Sequence, residues 1–190
     1  MFLDHAEKYA KKIIKFLKLD KSKNVIEIAS NDGYLLKNFV KKKIPCLGIE
    51  PALNAAKISE KSGIKVIKKF FSSKLAISLS KKKADLICAN NVYAHVPDIN
   101  DFTKGLKKLL KKEGTITLEF PHLLKLVKDL KFDTIYHEHY SYLSLSVVKK
   151  IFEKNNLRVY HVEEIETHGG SLRIYGCHVK SFIKENKSIK

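Results

Sequence analysis

The segment VIEIASNDGYLL, residues 25–36, is the most informative part of the sequence about the fold. An apolar run typical of a buried strand ends there in a short polar turn, and a helical pattern of apolar residues follows. In an open α/β sheet, the turn after the first strand lies at the carboxyl edge, where ligands bind. The stretch therefore predicts both the type of fold and the position of its site.

The ligand expected at this turn carries positive charge. A dinucleotide pyrophosphate requires several glycines so that backbone amides can approach it, whereas this turn has Gly33 alone. Asp32 precedes that glycine and would repel a pyrophosphate, but a carboxylate suits a cofactor with an ammonium and a sulfonium group. S-adenosylmethionine therefore fits the turn better than NAD.

A second carboxylate indicates a nucleoside ligand. The next strand ends in GIEP, which places Glu50 seventeen residues after Gly33, where a carboxylate can accept hydrogen bonds from both ribose hydroxyls. This spacing is compatible with both NAD and S-adenosylmethionine. The alternative is that Glu50 stabilises the N-terminus of the helix that begins after Pro51.

Strand-like runs alternate with helical patterns along most of the chain, which is typical of a parallel sheet covered by helices on both faces. After the fifth strand come a polar stretch, a short helix at 145–152 and two strands joined by the turn ETHGGS. A chain of 190 residues has room for one such domain. Strands are predicted at 25–29, 46–50, 65–67, 85–89, 115–120, 158–165 and 172–179.

The chain is expected to consist of an N-terminal helix at 1–20, a core at 21–180 and a frayed tail at 181–190. In the first helix, apolar residues at helical spacing are predicted to lie in the core: Tyr9, Ile13, Phe16 and Leu17. No secretory signal opens the sequence, and no apolar run approaches the roughly 20 residues that span a bilayer. Three widely separated cysteines speak against a disulfide framework. We expect a cytoplasmic protein without membrane contact.

The net charge of +17 suggests a nucleic-acid partner. However, the chain has 35 lysines and only two arginines, whereas base and phosphate readers favour the bidentate arginine fork. The lysines are also scattered along helices and turns without interleaved aromatic residues. We interpret them as a solvated surface, and a nucleic-acid methyltransferase is an alternative that the charge alone supports.

Two further stretches carry acid–base chemistry. The fourth strand ends in CANNVYAHVPD, so that Asn90 and Asn91 can line the cofactor site, while His95 has either a structural or a catalytic role. TIYHEHYSY, residues 134–142, holds two histidines, a glutamate and three tyrosines. Removing a weakly acidic proton next to a ketone requires such a base, with hydrogen-bond donors for the enolate oxygen.

Six motifs occur in order and together closely resemble the nucleotide-sugar C-methyltransferase family. The most specific are YHEH and THGGSLR. The resemblance implies a Rossmann-like class I methyltransferase, with a mostly parallel seven-stranded sheet, that uses S-adenosylmethionine to methylate a ring carbon of a nucleotide-linked ketosugar. The motifs are EIASNDGYLL, LGIEPALNAA, NNVYAHVPDINDF, LEFPHLLKL, FDTIYHEHYSYLS and ETHGGSLRIY.

The resemblance also implies a role for individual residues. His139 takes the place of the general base, Tyr136 and His95 are expected to donate to the enolate, and Glu138 is expected to position a histidine or a sugar hydroxyl. The implied cofactor site comprises Glu27, Ser30, Asn31, Asp32, Gly33, Glu50, Pro51, Asn90 and Asn91, and the implied substrate site comprises His122, His168 and Gly169.

Two departures from the family matter. Ala29 stands where the family usually has glycine. Family members resemble a three-part protein, with a zinc module before this core and a nucleotide-binding domain after it, and both are expected to be absent here. The alternative function is therefore a truncated or split cofactor-binding module that needs a partner chain or is inactive.

Other interpretations of the polar residues remain open. His137 is expected to be structural, and Tyr140 and Tyr142 to be packing or rim residues. His122 either lines the sugar pocket or caps a helix, and the turn at 168–170 either contacts the acceptor or is a plain turn. His137, His139 and His168 could share a metal ion, but no spacing supplies further ligands, and we expect no metal.

Overall fold

The computed structural model describes residues 2–189, except for the side chains of Phe2 and His168. The helices are α1 (Phe2–Leu17), α2 (Leu36–Lys41), α3 (Leu53–Lys61), α4 (Ser73–Ser78), α5 (Ile99–Leu109), α6 (Leu123–Lys128) and α7 (Leu145–Lys154). The strands are β1 (Val25–Ile28), β2 (Cys46–Ile49), β3 (Lys65–Ile67), β4 (Ala84–Asn90), β5 (Leu110–Pro121), β6 (Leu157–Ile165) and β7 (Ser171–His178).

The seven strands form one sheet in the order β3-β2-β1-β4-β5-β7-β6. Neighbours from β3 to β5 pair in parallel, and β7 pairs antiparallel with both β5 and β6. The predicted fold class is confirmed. The strand order reverses between β1 and β4, so that the turns after these two strands meet at one edge of the sheet, where a ligand site is expected.

Apolar side chains bury both faces of the sheet. On one face, Tyr9 and Ile13 of α1 lie in the core as predicted. Phe16 does not, because half of its side chain is exposed and its ring contacts Tyr175 edge-on at 5.7 Å. The opposite face is packed by α4, α5 and α7 around Phe102 and Phe152. These two layers hold β1 and β4 in place beneath the site.

The segment 181–189, expected to be frayed, folds back along β6. The Asn186 amide donates to the Tyr160 carbonyl at 2.7 Å, and the Ser188 hydroxyl lies 2.7 Å from His161 Nδ1. Ser181 donates to Glu113 at 2.7 Å. Residues 181–189 therefore satisfy the outer edge of the sheet.

The three cysteines are unpaired thiols. None of the helices within residues 2–189 is long and apolar enough to cross a bilayer.

Candidate active site

The turn after β1 is held in an unusual backbone conformation. Ala29, Asn31 and Gly33 have φ angles of 56°, 50° and 83°, in the left-handed region. A Cβ on Gly33 would lie 2.5 Å from Ile64 Cδ1 and 2.6 Å from Ser59 Oγ. Gly33 is thus needed for close packing of the turn. Ala29 adopts the conformation that favours glycine, which explains why the family has glycine at this position.

Glu50 anchors this turn from the neighbouring strand. Its Oε2 accepts the Asn31 amide at 2.9 Å, and its Oε1 accepts the Ala52 amide at the start of α3 at 2.8 Å. Both interpretations of Glu50 therefore agree with the geometry, since the carboxylate stabilises the start of α3 and also lies beside the predicted cofactor turn. Each oxygen retains a second lone pair for a ligand hydroxyl.

Glu27 adds a second buried carboxylate at the same edge. It is 1% exposed, and no described residue hydrogen-bonds its Oε2. Burial raises its pKa well above the usual value, and the negative charges of Glu50 and Asp32 raise it further. Asn90 Oδ1, at the end of β4, is also buried without a hydrogen-bond partner among the described residues.

These groups, here called the cofactor side, test the fit of S-adenosylmethionine. Buried polar atoms without a partner and the carboxylates of Glu50 and Asp32 favour a cationic ligand with hydroxyl or amino donors. The cofactor therefore fits the residues present. The side chain of Ser30 is buried next to Gly48, where a Cβ would meet its Oγ at 2.4 Å, and this Oγ has no hydrogen-bond partner among the described residues. Its place in the cofactor site stays a prediction. Pro51 is partly buried and contributes shape rather than a polar group.

A separate cavity of about 320 Å³ adjoins the ends of β4 and β5. We call its lining the acceptor side. Most of it comes from the irregular segments that follow the two strands, so that polar groups from distant parts of the sequence face one space. The lining residues are Asn91, His95, Pro121, Asp133, Thr134, Tyr136 and His139.

His139 is oriented by two hydrogen bonds. Its Nδ1 lies 2.8 Å from the Thr134 carbonyl oxygen, which only accepts, so Nδ1 carries the proton in the neutral ring. Nε2 is then the acceptor, and the Tyr136 hydroxyl donates to it at 3.0 Å. The geometry thus supplies a proton acceptor whose tautomer is fixed by the backbone.

His95 lies against His139, with ring centroids 4.7 Å apart. Burial lowers the pKa of His95, and the neighbouring His139 lowers it further, although a hydrogen bond to the Glu138 carbonyl opposes this. The ring of His95 thus lies in the cavity next to the predicted base, and its role as a hydrogen-bond donor to the enolate stays a prediction.

The side chain of Glu138 is exposed and is not among those that line the cavity, and the role that the resemblance implies for it stays a prediction. The carboxylate in the lining is Asp133, which sequence reasoning missed. Asp133 belongs to the motif FDTIYHEH. However, a segment without a repeating structure has no periodicity from which the direction of a side chain can be inferred.

His122 and Gly169, two of the residues predicted to contact the substrate, are not among those that line this cavity. His122 is buried at the start of α6, its Nδ1 has no hydrogen-bond partner among described residues, and it makes no side-chain cap. Gly169 packs against Lys131, whose ammonium donates to the glycine carbonyl. The side chain of His168 lies outside the described part of the chain. The ETHGGS turn thus contacts α6 and its flank.

A buried ionic network beside the cofactor side was also missed. The network is centred on the carboxylate of Glu119 on β5. Arg173 on β7 donates a hydrogen bond to this carboxylate at 2.5 Å and Thr167 donates one at 3.3 Å. His5 on α1 lies 3.0 Å from the same carboxylate. Burial raises the pKa of Glu119, but the hydrogen bond from His5 and the charge of Arg173 bring it below the usual value. The network ties α1 and the ETHGGS turn to the sheet. The sequence did contain a signal for this network, because each of two predicted apolar strands carries one charged residue, and buried charges are usually paired.

The remaining aromatic and histidine residues of the segment 134–142 differ in their exposure. Tyr142 contacts the His139 ring edge-on at 5.9 Å, whereas Tyr140 and His137 are exposed. Within residues 2–189, no group of three or more His, Cys, Asp or Glu side chains is arranged to hold a metal ion. That activity needs no metal stays a prediction.

Comparison with known proteins identifies related sequences. The family model described as methyltransferase domain matches residues 2–162. The C-methyltransferase NovU of Streptomyces niveus is 31% identical over 177 residues, which cover 92% of this chain and 42% of that protein. The chain therefore spans less than half the length of this curated relative.

Solved structures share the fold. A SAM-dependent methyltransferase from Archaeoglobus fulgidus superimposes with a TM-score of 0.69 at 18% identity, covering 87% of this chain and 75% of that one. Magnesium protoporphyrin IX methyltransferase from Synechocystis PCC 6803, with bound SAH, superimposes with a TM-score of 0.68 at 11% identity. The match covers 90% of this chain and 83% of that one. A chain of the complex between the Haloferax volcanii Trm112 methyltransferase activator and a methyltransferase superimposes with a TM-score of 0.71 at 12% identity. The match covers 92% of this chain and 89% of that one.

Proposed function

The chain belongs to the family of methyltransferase domains, and from this premise we propose that it transfers a methyl group from S-adenosylmethionine to the carbon next to the ketone of a nucleotide-linked deoxysugar. The observation that carries the proposal is His139 Nε2, an acceptor of fixed tautomer in a cavity at the carboxyl edge of the sheet. The similarity to a C-methyltransferase supports carbon as the acceptor atom. When bound, the cofactor supplies an electrophilic methyl group.

The cofactor side would hold S-adenosylmethionine through charge and hydrogen bonds. Glu50 would accept the ribose hydroxyls, since its two oxygens are already oriented by the amides of Asn31 and Ala52. Glu50 and Asp32 give this edge the negative potential that suits the ammonium and sulfonium groups. The carboxyl group of Glu27, whose pKa is raised by burial, offers a buried hydrogen-bonding group at the same place. Asn90 Oδ1 offers a further buried acceptor.

The acceptor side would remove the proton next to the ketone. His139 suits this role because the unperturbed pKa of histidine, about 6.5, lies close to neutral pH. At present the Tyr136 hydroxyl occupies Nε2. If that hydroxyl turns to donate to the substrate carbonyl, it releases Nε2 to accept the carbon-bound proton, while the phenol stabilises the enolate oxygen. One rotation thus prepares both groups.

The direct test is a turnover assay with the purified chain, S-adenosylmethionine and a panel of nucleotide-linked ketosugars, with mass detection of one added CH₂ group. We expect methylation of at least one sugar without added metal. Loss of turnover on treatment with a chelator, and its recovery with zinc, would replace this mechanism by a metal-dependent one.

A second candidate, a cofactor-binding module completed by a partner chain, is favoured by one surface. Beyond the acceptor cavity, α6 and the segment that follows expose five large apolar side chains by more than half: Leu124, Val127, Leu130, Phe132 and Ile135. A contiguous apolar surface of this kind is typical of an interface. The chain also spans only 42% of its curated relative.

The two candidates differ in what the chain does alone. Under the first, the chain binds S-adenosylhomocysteine and methylates a ketosugar. Under the second, it binds S-adenosylhomocysteine with the same affinity but leaves every ketosugar unmethylated until a chain with a nucleotide-binding domain is added. Failure to bind S-adenosylhomocysteine would contradict both.

A further inference from the structure

A basic cavity lies at the edge of the sheet opposite to the candidate active site. It has a volume of about 660 Å³ and is formed by the amino ends of β1 to β4 and the 3-10 turn Ser80–Lys82. It shares no residue with the acceptor side, and none of its described lining residues is aromatic. Its lysines are Lys23, Lys65, Lys81, Lys82, Lys83 and Lys111.

The positive charge of this cavity is largely uncompensated. Asp85 is the carboxylate nearby, and it already contacts Lys111 at 2.7 Å and Lys23 at 3.8 Å. Among the residues the structure describes, no carboxylate lies within ion-pair distance of the other four lysines of the lining. An anion bound there would therefore meet cations that have no competing partner within the chain.

The lysine-rich turn is fixed by the backbone. Asn24 Nδ2 donates to the carbonyls of Lys82 and Lys83 at 3.0 and 3.2 Å, and the Asn24 amide donates to Asp85 at 2.8 Å. The Lys82 amide closes the turn on the Leu79 carbonyl at 2.7 Å. A turn held in this way presents its three lysines from a defined position, which lowers the entropy lost on binding.

A second basic cavity, of about 510 Å³, continues from the first through Lys83. Lys107, Lys112 and Lys180 line it. His178 also lines it, and burial lowers the pKa of His178, with the positive charges of Lys107 and Lys83 lowering it further. The two basic cavities meet at Lys83 on the amino edge of the sheet, and together they are here called the lysine groove.

We propose that the lysine groove binds a linear polyphosphate chain. Lysine is an effective phosphate ligand because it acts as a point charge, with no demand on the orientation of the phosphate. Binding of single-stranded nucleic acid relies on aromatic side chains that stack with the bases, and sequence readout relies on arginine forks. The described lining of both cavities has no Phe, Tyr, Trp or Arg, and His178 is its single aromatic ring. The groove thus matches a ligand whose every unit is a phosphate.

The chain offers a matched pair of variants to test this proposal. Lys81, Lys82 and Lys83 line the groove, whereas the run Lys41–Lys43 is equally exposed and lines neither cavity. Replacing either run by glutamine removes the same charge. Binding of labelled inorganic polyphosphate is measured by fluorescence anisotropy over a range of salt concentrations.

We expect the 81–83 variant to bind about tenfold or more weakly and its salt slope to fall by about 2, since each neutralised phosphate of a single strand contributes about 0.7. The 41–43 variant should remain within about twofold of the parent. Equal weakening by both variants would show that scattered charge alone attracts the polymer. Tighter binding of RNA or DNA with the same number of phosphates would assign the groove to nucleic acid instead.

A measurement on the parent chain guards against misfolding of the variant. Amide resonances are followed by NMR while polyphosphate is added. The proposal requires the largest shifts around residues 80–83 and 111, with those around 41–43 unchanged. Shifts spread evenly over all exposed lysines would overturn it.

Discussion

The cofactor side and the acceptor side of the candidate active site are built differently. Glu27 and Glu50 lie on or directly after central strands and are less than a tenth exposed. Tyr136 and Asp133 lie in an irregular segment and are exposed. The difference shows that one edge of a sheet can combine buried, well-held carboxyl groups with an exposed segment that has little packing of its own. Changes on the first side should therefore affect binding, and changes on the second should affect chemistry.

The largest expected effect tests the acceptor side. His139→Asn removes the proton acceptor and should lower methyl transfer by roughly 10² to 10⁴-fold, while the affinity for S-adenosylhomocysteine stays unchanged. Calorimetry measures the second quantity. His137→Asn, at an exposed position two residues away, is the matched control and should keep the parent rate.

Hydrogen exchange sharpens this prediction. With S-adenosylhomocysteine in place of the methyl donor, the parent should exchange deuterium from heavy water into the carbon next to the ketone, and His139→Asn should not. Parent-like exchange and methylation in that variant would pass the role of base to His95, whose ring lies against that of His139.

Arg173→Met tests whether the buried ionic network next to the cofactor side ties α1 and the ETHGGS turn to the sheet. The change leaves Glu119 buried without its ion-pair partner, so the free energy of unfolding in urea should fall by about 3–5 kcal/mol. Because the folded pKa of Glu119 lies below the usual value, its stabilising contribution is present above the pKa of the unfolded carboxyl group. That contribution is lost as the pH falls through the folded pKa.

The double variant Glu119→Gln/Arg173→Met is the control for this prediction. It removes both charges and should recover part of the lost stability. If Arg173→Met proved as stable as the parent, the network would not be the element that ties α1 and the ETHGGS turn to the sheet.

Glu50→Ala tests the cofactor side. Hydrogen bonds to a charged acceptor contribute roughly 1.5–3 kcal/mol, so S-adenosylhomocysteine should bind about tenfold or more weakly. Glu60→Ala changes an exposed carboxylate on α3 and should leave the affinity unchanged. Equal affinities of the Glu50 variant and the parent would remove Glu50 from the ligand site.

Asp133→Asn and Glu138→Gln compare two carboxylates of the acceptor segment. Asp133 lines the cavity and Glu138 does not, so the first change should raise the KM for the sugar by roughly two- to tenfold, the equivalent of about 0.5–1.5 kcal/mol. The second should change it less. A larger loss with Glu138→Gln would support the role that the family resemblance implies and would require the segment to rearrange on binding substrate.

The smallest effect concerns the turn after β1. Ala29 has a φ of 56°, and relief of left-handed strain by Ala29→Gly should exceed the entropy cost of glycine, raising the free energy of unfolding by about 0.5–1 kcal/mol. Ala55→Gly, within α3, should lower it by about 1 kcal/mol. Thermal melting measures both, and destabilisation by Ala29→Gly would mean that the alanine methyl group contributes packing that outweighs the strain.

Sequence reasoning succeeded where local pattern and backbone geometry coincide. All seven strands lie at their predicted positions to within a few residues, except that β5 begins earlier, at Leu110. Glu50 was predicted beside the ligand turn because the end of a strand determines where the next residue lies. Asp133 and Glu138 could not be assigned in this way, because neither lies in a repeating element that orients its side chain.

The α/β sheet, its ligand-binding edge and the negative character of the first turn could be inferred from the sequence alone. The reason is that apolar periodicity and the conformational preferences of glycine, asparagine and aspartate act over a few residues. Which polar groups lie in contact, by contrast, depends on the tertiary structure. The ion pair of Glu119 with Arg173 depends on β7 inserting between β5 and β6, and the contact of His95 with His139 depends on two loops converging over the same strands. Such contacts join residues far apart in the chain, so burial and strand order, rather than local preference, select them.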